Sequence, residues 1–292
     1  MATAAQWIEG ARPRTLPAAV APVLAGTACA VYDGDEVWWK AALALVVALA
    51  LQVGVNYAND YSDGIRGTDE VRVGPLRLVG SGVATPQSVK LAAFGSFGVA
   101  AVVGLVLAIT TAWWLVAVGL VCILAAWFYT GGTSPYGYHA LGEVMVFVFF
   151  GLVAVMGTYF VQAERLSLAS NWAADGIGAL ACAILVANNL RDIPTDTVAG
   201  KRTLAVVLGD RRTRYLYAFL VGAALVALLG VALETSWWAL LGLAFLPAAL
   251  RGTRIVLSGT TGPGLIPVLA RTGAAELLYG LGIFVGLVIA QA

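Results

Sequence analysis

Apolar stretches close to the length of a bilayer core recur along the whole 292-residue chain. A helix needs about 20 mainly apolar residues to cross the hydrocarbon core of a membrane. The composition agrees, since 60% of the residues are hydrophobic, 11% are charged and the mean hydropathy is +0.87. These values lie outside the range of soluble globular domains. The sequence therefore predicts an all-α polytopic membrane protein in which residues 1–292 form a single transmembrane domain.

Nine transmembrane helices are predicted, and the basic residues orient them. The predicted spans are 15–31, 37–57, 88–110, 112–130, 141–162, 171–190, 213–232, 236–256 and 270–290. With the N-terminus inside, only Lys40 and Arg165 among the lysines and arginines fall on the outside. Basic residues favour the cytoplasmic side of a membrane. We therefore expect a multi-pass protein of the bacterial inner membrane with a cytoplasmic N-terminus and an external C-terminus.

Two polar clusters end the second and sixth predicted spans, both on the cytoplasmic side. The first is NYANDYSDGIRGTD at 56–69, and the second opens the segment 188–209, NNLRDIPTDTVAGKRTLAVVLG. Each repeats polar residues at a spacing of four, as in Asn59 and Asp63 or Asp192 and Asp196. On a helix this spacing stacks the side chains on one face. Carboxylates at the ends of apolar helices are costly unless a cation lies between them.

Oxygen donors of this kind are the ligands that Mg²⁺ prefers, and Mg²⁺ usually shares its ligands with substrate phosphates. We expect magnesium and a diphosphate between the two clusters. The carboxylates and amides that supply oxygen are Asp60, Asp63, Asp69, Asp192, Asp196, Asn56, Asn59, Asn188 and Asn189. The cationic residues suited to a diphosphate or a carboxylate are Arg66, Arg72, Arg77, Arg191, Lys201 and Arg202. The alternative is that these residues form solvated helix caps and surface ion pairs.

A third stretch, YTGGTSPYGYHALGE at 129–143, fills the cytoplasmic connection between the fourth and fifth predicted spans. Tyr129, Tyr138 and His139 would place aromatic and titratable groups beside the metal site. Electron-rich rings can stabilise an allylic carbocation through cation–π interactions. Tyrosines that anchor helix ends at the membrane interface are the alternative. Glu276 in the last predicted span is an intramembrane carboxyl whose partner the sequence does not indicate.

At these motifs the sequence resembles the UbiA superfamily of intramembrane aromatic prenyltransferases, and within it the branch that acts on 1,4-dihydroxy-2-naphthoate. The resemblance rests on RPRTLPAAVAPVLAGT near the start, on NYANDYSDGIRGTD with GPLRLVGSG, and on NNLRDIPTDTVAGKRTLAVVLG. It implies that Asn59, Asp63, Asp192 and Asp196 hold Mg²⁺ on the diphosphate and that Lys201 and nearby arginines bind that group. The chain departs from the family pattern where Gly67 replaces a third acidic residue. Asp69, two positions later, is a further candidate ligand, and a lysine usual after Tyr129 is missing.

The resemblance implies transfer of a polyprenyl group from a polyprenyl diphosphate to 1,4-dihydroxy-2-naphthoate, with decarboxylation, giving demethylmenaquinone in menaquinone biosynthesis. The candidate catalytic residues are Asp60, Asp63, Asp192, Asp196 and Tyr129. The candidate substrate-binding residues are Asn56, Arg66, Arg72, Arg77, Asn188, Asn189, Lys201, Tyr138 and His139. A different acceptor, 4-hydroxybenzoate or a phosphoribosyl sugar, is the alternative within enzymes. A transporter is the alternative outside them, but transporters place ionisable groups near the bilayer midplane, where only Glu276 is a candidate.

Overall fold

The computed structural model describes residues 2–67 and 76–292 of the chain. Within these residues the helices are α1 Ala4–Gly10, α2 Pro17–Asp33, α3 Trp38–Ile65, α4 Pro86–Thr110, α5 Leu115–Phe128, α6 Gly142–Val146, α7 Gly157–Ala163, α8 Leu168–Val198, α9 Leu204–Glu234, α10 Leu246–Leu257 and α11 Ile266–Gln291. A π-helical segment, Phe147–Met156, joins α6 to α7, and a 3₁₀ segment, Trp237–Phe245, leads into α10. The predicted all-α class is confirmed for the described part of the chain.

The predicted count of nine spans is wrong. The described residues contain seven helical stretches long and apolar enough to cross a membrane, and an eighth if α2 and the segment Ala4–Thr15, bent by 49° against it, count as one. The missing span is the predicted 112–130, where α5 has only 14 residues. At 1.5 Å per residue that is about 21 Å, against the roughly 30 Å of a bilayer core. The apolar run is shortened because the chain turns at Trp113 and Trp114 before α5 begins.

Local sequence signals set where the long helices begin. The Ser167 hydroxyl accepts a hydrogen bond from the Ser170 N–H at 3.1 Å and starts α8 with a capping box. Thr85 caps α4 in the same way, with Pro86 at the first helical position. Thr203 caps α9 directly after the second polar cluster. The second polar cluster is therefore followed directly by the start of α9.

The larger core lies among α2, α8, α9 and α11, and glycine allows its backbones to approach closely. A Cβ added to Gly286 would lie 2.0 Å from the Trp238 carbonyl oxygen, and one added to Gly280 would lie 2.7 Å from the Ala21 oxygen. A smaller core forms where Tyr57 of α3 meets Leu78 and Phe97. The last two lie in the 76–84 turn and in α4. This second core holds the described part of the first cytoplasmic connection against α3.

The two ends of the bundle carry different polar groups. At one end the C-terminal turns of α3 and α8 come together, and Lys201 Nζ lies 3.6 Å from Asp63 Oδ1. At the other end Arg165, between α7 and α8, lies 2.6 Å from Asp35 and 3.4 Å from Asp33 at the end of α2. Four tryptophans at the helix starts of this second end have exposed side chains, as in the aromatic belts of membrane interfaces: Trp38, Trp39, Trp237 and Trp238. The two polar clusters thus share one end, opposite the Arg165 network.

Candidate active site

The last two turns of α3 place Asn59 and Asp63 on one face, as their spacing predicts. The Asn59 Oδ1 atom accepts a hydrogen bond from the Thr130 hydroxyl at 2.7 Å. Asp63 Oδ1 accepts one from the Tyr138 hydroxyl at 3.0 Å, and it also faces Lys201. The side chain of Asp63 is only 6% exposed. The first cluster is therefore in contact with both the third stretch and the second cluster.

The end of α8 presents the second cluster. Arg191 binds Asp192 with two hydrogen bonds, of 2.6 and 2.7 Å, and donates a third to Asn188 Oδ1 at 2.9 Å. One turn later the Asp196 carbonyl accepts from the Lys201 N–H at 2.8 Å. Gly200, at φ 70°, makes that turn possible, since positive φ is disfavoured for other residues. The turn places the Lys201 side chain beside Asp63.

The third stretch lies between the two clusters and is bound to both. Arg66, at the end of α3, donates hydrogen bonds to the carbonyls of Thr130 and Gly132. On the other side the Arg202 N–H donates to the Tyr138 carbonyl at 3.1 Å. Residues 129–141 are called the connecting loop below. This loop, which the sequence indicated through its aromatic and titratable residues, links the two polar clusters.

Lys201 and Arg66 approach the Tyr138 ring, at 4.5 and 5.5 Å from its centroid. Burial alone would lower the pKa of Lys201, but Asp63, Tyr138 and Asp196 outweigh it and raise that pKa above its ordinary value. Lys201 is therefore protonated, and its positive charge lies beside Asp63. Such a charge among oxygen donors suits a polyanion such as a diphosphate.

Tyr129 lies where carboxylates from several elements converge. Burial raises the pKa of its phenol, and the charges of Glu143, Asp63 and Asp196 raise it further. Its ring packs edge-on against Tyr136, with centroids 5.5 Å apart. Tyr129 is therefore a neutral phenol in the site. Glu143 was not among the residues predicted for this site, although the 129–143 stretch ends on it.

Two predicted site residues are used in structural contacts. Both oxygens of Asp60, which is fully buried, accept backbone hydrogen bonds, from the Leu78 N–H at 2.8 Å and the Val79 N–H at 3.0 Å. The Asn56 amide donates to the Ala11 carbonyl and to the Thr15 hydroxyl, both at 2.9 Å. Asp60 therefore holds the 76–84 turn and Asn56 holds the N-terminal segment, and their predicted catalytic and substrate-binding roles stay predictions.

The remaining candidates divide by position. His139 is exposed, and its Nε2 lies 3.0 Å from the Ser134 hydroxyl. The Asn189 amide donates to Glu143 Oε1 at 3.0 Å. Arg77 lies half-buried in the 76–84 turn. Asp69 and Arg72 lie outside the described residues.

The donor set fits a magnesium ion that is shared with a substrate. Among residues 2–67 and 76–292, no group of three or more His, Cys, Asp or Glu side chains is placed to hold a metal ion by itself. Magnesium is commonly held by one or two carboxylates together with substrate phosphates. Asp63 with Asn59 and Asp192 with Asp196 offer donors of that kind in the C-terminal turns of α3 and α8. The protein would supply part of the coordination and a diphosphate the rest.

Comparison with known proteins identifies the family to which the chain belongs. Residues 19–261 match the UbiA prenyltransferase family. The chain belongs to the UbiA prenyltransferase family. Across 291 residues it is 57% identical to 1,4-dihydroxy-2-naphthoate octaprenyltransferase of Mycobacterium tuberculosis, covering 100% of this chain and 99% of that protein. The enzyme of the same name from Escherichia coli is 38% identical, with 98% and 96% covered.

Solved structures of the UbiA fold resemble the chain closely in architecture. A UbiA homolog from Archaeoglobus fulgidus, bound to GPP and Mg²⁺, superposes with a TM-score of 0.71 at 15% identity, covering 97% of this chain and 99% of that one. The apo structure of a UbiA homolog from Aeropyrum pernix K1 gives 0.72 at 13% identity, covering 98% and 99%. These matches establish the fold. With the long apolar helices they identify this UbiA family member as a multi-span membrane protein.

Proposed function

We propose that this UbiA family member transfers a polyprenyl group from a polyprenyl diphosphate to 1,4-dihydroxy-2-naphthoate, with loss of carbon dioxide, giving demethylmenaquinol, the hydroquinone form of demethylmenaquinone. The observation that carries the chemistry is the position of the Lys201 ammonium, 3.6 Å from Asp63 Oδ1 at the end of α3 and 4.5 Å from the centroid of the Tyr138 ring. The naphthoate acceptor is supported by full-length similarity to enzymes named for it.

The diphosphate binds between the ends of α3 and α8. Lys201 contacts its oxygens as a point charge, and Asp63, Asn59, Asp192 and Asp196 are the residues that would hold Mg²⁺ there. When bound, the ion would neutralise charge on the diphosphate as that group leaves. Charge on the leaving oxygen is largest in the transition state, so fixed cations at this position accelerate the step.

The reaction breaks one bond to the diphosphate and makes one to the ring. The allylic C–O bond breaks and its electron pair leaves with the diphosphate, while the ring π electrons form the new C–C bond. At the carboxylated ring carbon the bond to the carboxylate then breaks, carbon dioxide leaves, and that electron pair restores aromaticity. The rings of Tyr129 and Tyr138 are placed to stabilise the allylic cation. Tyr129 is a neutral phenol, and its side chain is half-buried.

The acceptor carboxylate needs a cation that the diphosphate does not occupy. Arg66 was one of three candidates, but its guanidinium is engaged with the Thr130 and Gly132 carbonyls. It holds the connecting loop. Arg77, half-buried in the turn that Asp60 holds, is our choice for the acceptor carboxylate, and Arg72 lies outside the described residues. Arg77→Gln should raise the KM for the naphthoate more than that for the prenyl donor.

The site end of the bundle faces the cytoplasm in this proposal. The cytoplasmic assignment rests on the distribution of lysine and arginine, which are concentrated in the connections at that end. Both substrates fit this placement. A prenyl diphosphate lies with its tail in the bilayer and its charged head at the surface, and the naphthoate is an anionic solute.

A product assay tests the function. Purified protein in lipid nanodiscs is incubated with Mg²⁺, an octaprenyl diphosphate and either 1,4-dihydroxy-2-naphthoate or 4-hydroxybenzoate, and products are identified by mass. We expect a prenylated, decarboxylated naphthol product and little prenylated benzoate. Equal turnover of both acceptors would contradict the choice of acceptor, and absence of any prenylated product would contradict the reaction.

A further inference from the structure

Glu143, at the start of α6, is a buried carboxyl with only one of its oxygens bonded. Its residue exposure is 7%. Oε1 accepts the hydrogen bond from Asn189, whereas Oε2 is buried and has no hydrogen-bond partner among residues 2–67 and 76–292. An unpaired buried oxygen on a charged group is costly, and such groups in folded proteins usually serve a purpose. Glu143 Oε2 is therefore a candidate to bind a ligand.

The position of Glu143 is fixed from α8. The Asn189 amide holds the side chain, and the Cys182 thiol donates to the Glu143 carbonyl at 3.0 Å. One residue earlier, a Cβ added to Gly142 would lie 3.6 Å from the Tyr129 hydroxyl oxygen. Glu143 is also the charged group that most raises the pKa of Tyr129, ahead of Asp63 and Asp196. The free oxygen therefore belongs to a rigid group beside the site.

The surrounding charge selects the kind of ligand. The Glu143 carboxylate is itself an anion, so a diphosphate or a ligand carboxylate placed directly against Oε2 would be repelled. Lys201, a cation of the site, contacts Asp63 and the Tyr138 ring and has no described contact with Glu143. A neutral hydrogen-bond donor satisfies an isolated carboxylate oxygen without adding charge. An aromatic hydroxyl is such a donor, and the acceptor of the proposed reaction carries two.

We propose that Glu143 Oε2 accepts a hydrogen bond from a ring hydroxyl of the aromatic acceptor, and so both orients that ring and increases its nucleophilicity. This inference rests on the proposed function. A carboxylate bonded to a phenolic O–H draws the proton toward itself and leaves more electron density on the ring. The proton stays on the hydroxyl oxygen throughout, so the bonds made and broken are those of the prenyl transfer. Glu143 would touch the substrate and thus be a catalytic residue.

The test pairs a variant with altered acceptors. Glu143→Gln keeps the size of the side chain and removes its charge, and Glu234→Gln makes the same change at an exposed site on the other end of the bundle. A hydrogen bond to a charged group corresponds to roughly 10- to 100-fold in rate. We expect kcat/KM for 1,4-dihydroxy-2-naphthoate to fall by that factor in Glu143→Gln. The KM for the prenyl diphosphate should change less than twofold, and Glu234→Gln should match the unmodified protein.

The two mono-O-methyl ethers of the naphthoate test the same hydrogen bond from the substrate side, so that enzyme variant and substrate change form a double-mutant cycle. With the unmodified protein, the ether that blocks the bonded hydroxyl should lose a similar factor, whereas Glu143→Gln should show no further loss with it. Equal losses for the parent and both ethers in Glu143→Gln would show a structural role and overturn the proposal. If that variant does not fold, as judged by loss of thermal stabilisation by the prenyl donor, the test rests on the turnover of the two ethers by the unmodified protein. Undiminished turnover of both ethers would then overturn it.

The proposed function fails in a different way. If the unmodified protein does not prenylate the naphthoate at all, the reaction assignment is wrong. If it does so and Glu143→Gln behaves as Glu234→Gln does, only the role of Glu143 is wrong.

Discussion

Replacing Asp60 with asparagine should loosen the 76–84 turn. Asp60 is fully buried, and its two oxygens receive the N–H groups of Leu78 and Val79. Asparagine keeps one acceptor oxygen but presents an NH₂ group to the other backbone donor. One charge-assisted hydrogen bond is lost and one buried N–H is left unpaired, together about 2–3 kcal/mol. That energy corresponds to roughly a 30- to 100-fold increase in local opening of the turn, since about 1.4 kcal/mol is a factor of ten.

Amide hydrogen exchange measures this opening directly. Peptides that cover 76–84, from protein in nanodiscs, should exchange faster by about that factor in Asp60→Asn when opening is rapid and reversible. The turn also contains hydrogen bonds from Ser81 N–H to the Arg77 carbonyl and from Ala84 N–H to the Leu78 carbonyl, each near 3 Å. These amides should lose protection together with those of Leu78 and Val79.

Activity separates the positioning residue from the ligand. Asp60→Asn should lower turnover by roughly tenfold, because the turn that carries Arg77 moves, whereas Asp63→Asn should lower it by roughly 100- to 1,000-fold, because a metal ligand is lost. Glu234→Gln is the control for both measurements and should change neither. Unchanged exchange across 76–84 in Asp60→Asn, with activity falling as far as in Asp63→Asn, would refute this reasoning and restore Asp60 as a catalytic residue.

Three further predictions follow from the site and the packing. Chelation with EDTA should abolish prenyl transfer and added Mg²⁺ should restore it, as a product assay will show; activity that survives chelation would exclude the metal. Gly286→Ala should lower the melting temperature, because its Cβ would meet the Trp238 carbonyl oxygen at 2.0 Å, whereas Gly222→Ala, with open space around it, should be neutral or slightly stabilising. A cysteine introduced at Glu36 should react with an impermeant reagent in intact cells and one at Thr133 should not; the reverse pattern would invert the proposed orientation.

The sequence was sufficient for the fold class, and the roles that it predicts for the site residues stay predictions. Composition and apolar periodicity indicated a helical membrane protein, and the four-residue spacing placed Asn59 with Asp63 on one face. The span count failed at α5, because hydropathy does not show where a chain turns within an apolar run. Here the turn at Trp113 and Trp114 shortened the helix to 14 residues.

The same spacing rule could not separate Asp60 from Asp63. Each is part of a four-residue repeat, but three residues on a helix correspond to a rotation of about 300°, so Asp63 meets Tyr138 and Lys201 while Asp60 meets the backbone of the 76–84 turn. Which partner each aspartate side chain contacts depends on tertiary packing, and a single sequence does not show that packing.

Glu143, two residues after the connecting loop, is a residue whose possible role in the site becomes visible only in the three-dimensional structure. In the sequence it is one acidic residue at the start of an apolar stretch, where a carboxylate would ordinarily favour the positive end of a helix. Its functional interest comes from Asn189, 46 residues further along, which binds one oxygen and leaves the other unpaired among the described residues. The chain folds this loop between the ends of α3 and α8, so the residues closest to the reacting groups include some outside the two acidic motifs. Prenyl transfer requires the diphosphate, the allylic carbon and the aromatic ring to meet within bonding distance. We propose that the acidic motifs provide for the first of these, and that Tyr129 and Tyr138 of the loop, with Glu143 at the start of α6, provide for the other two.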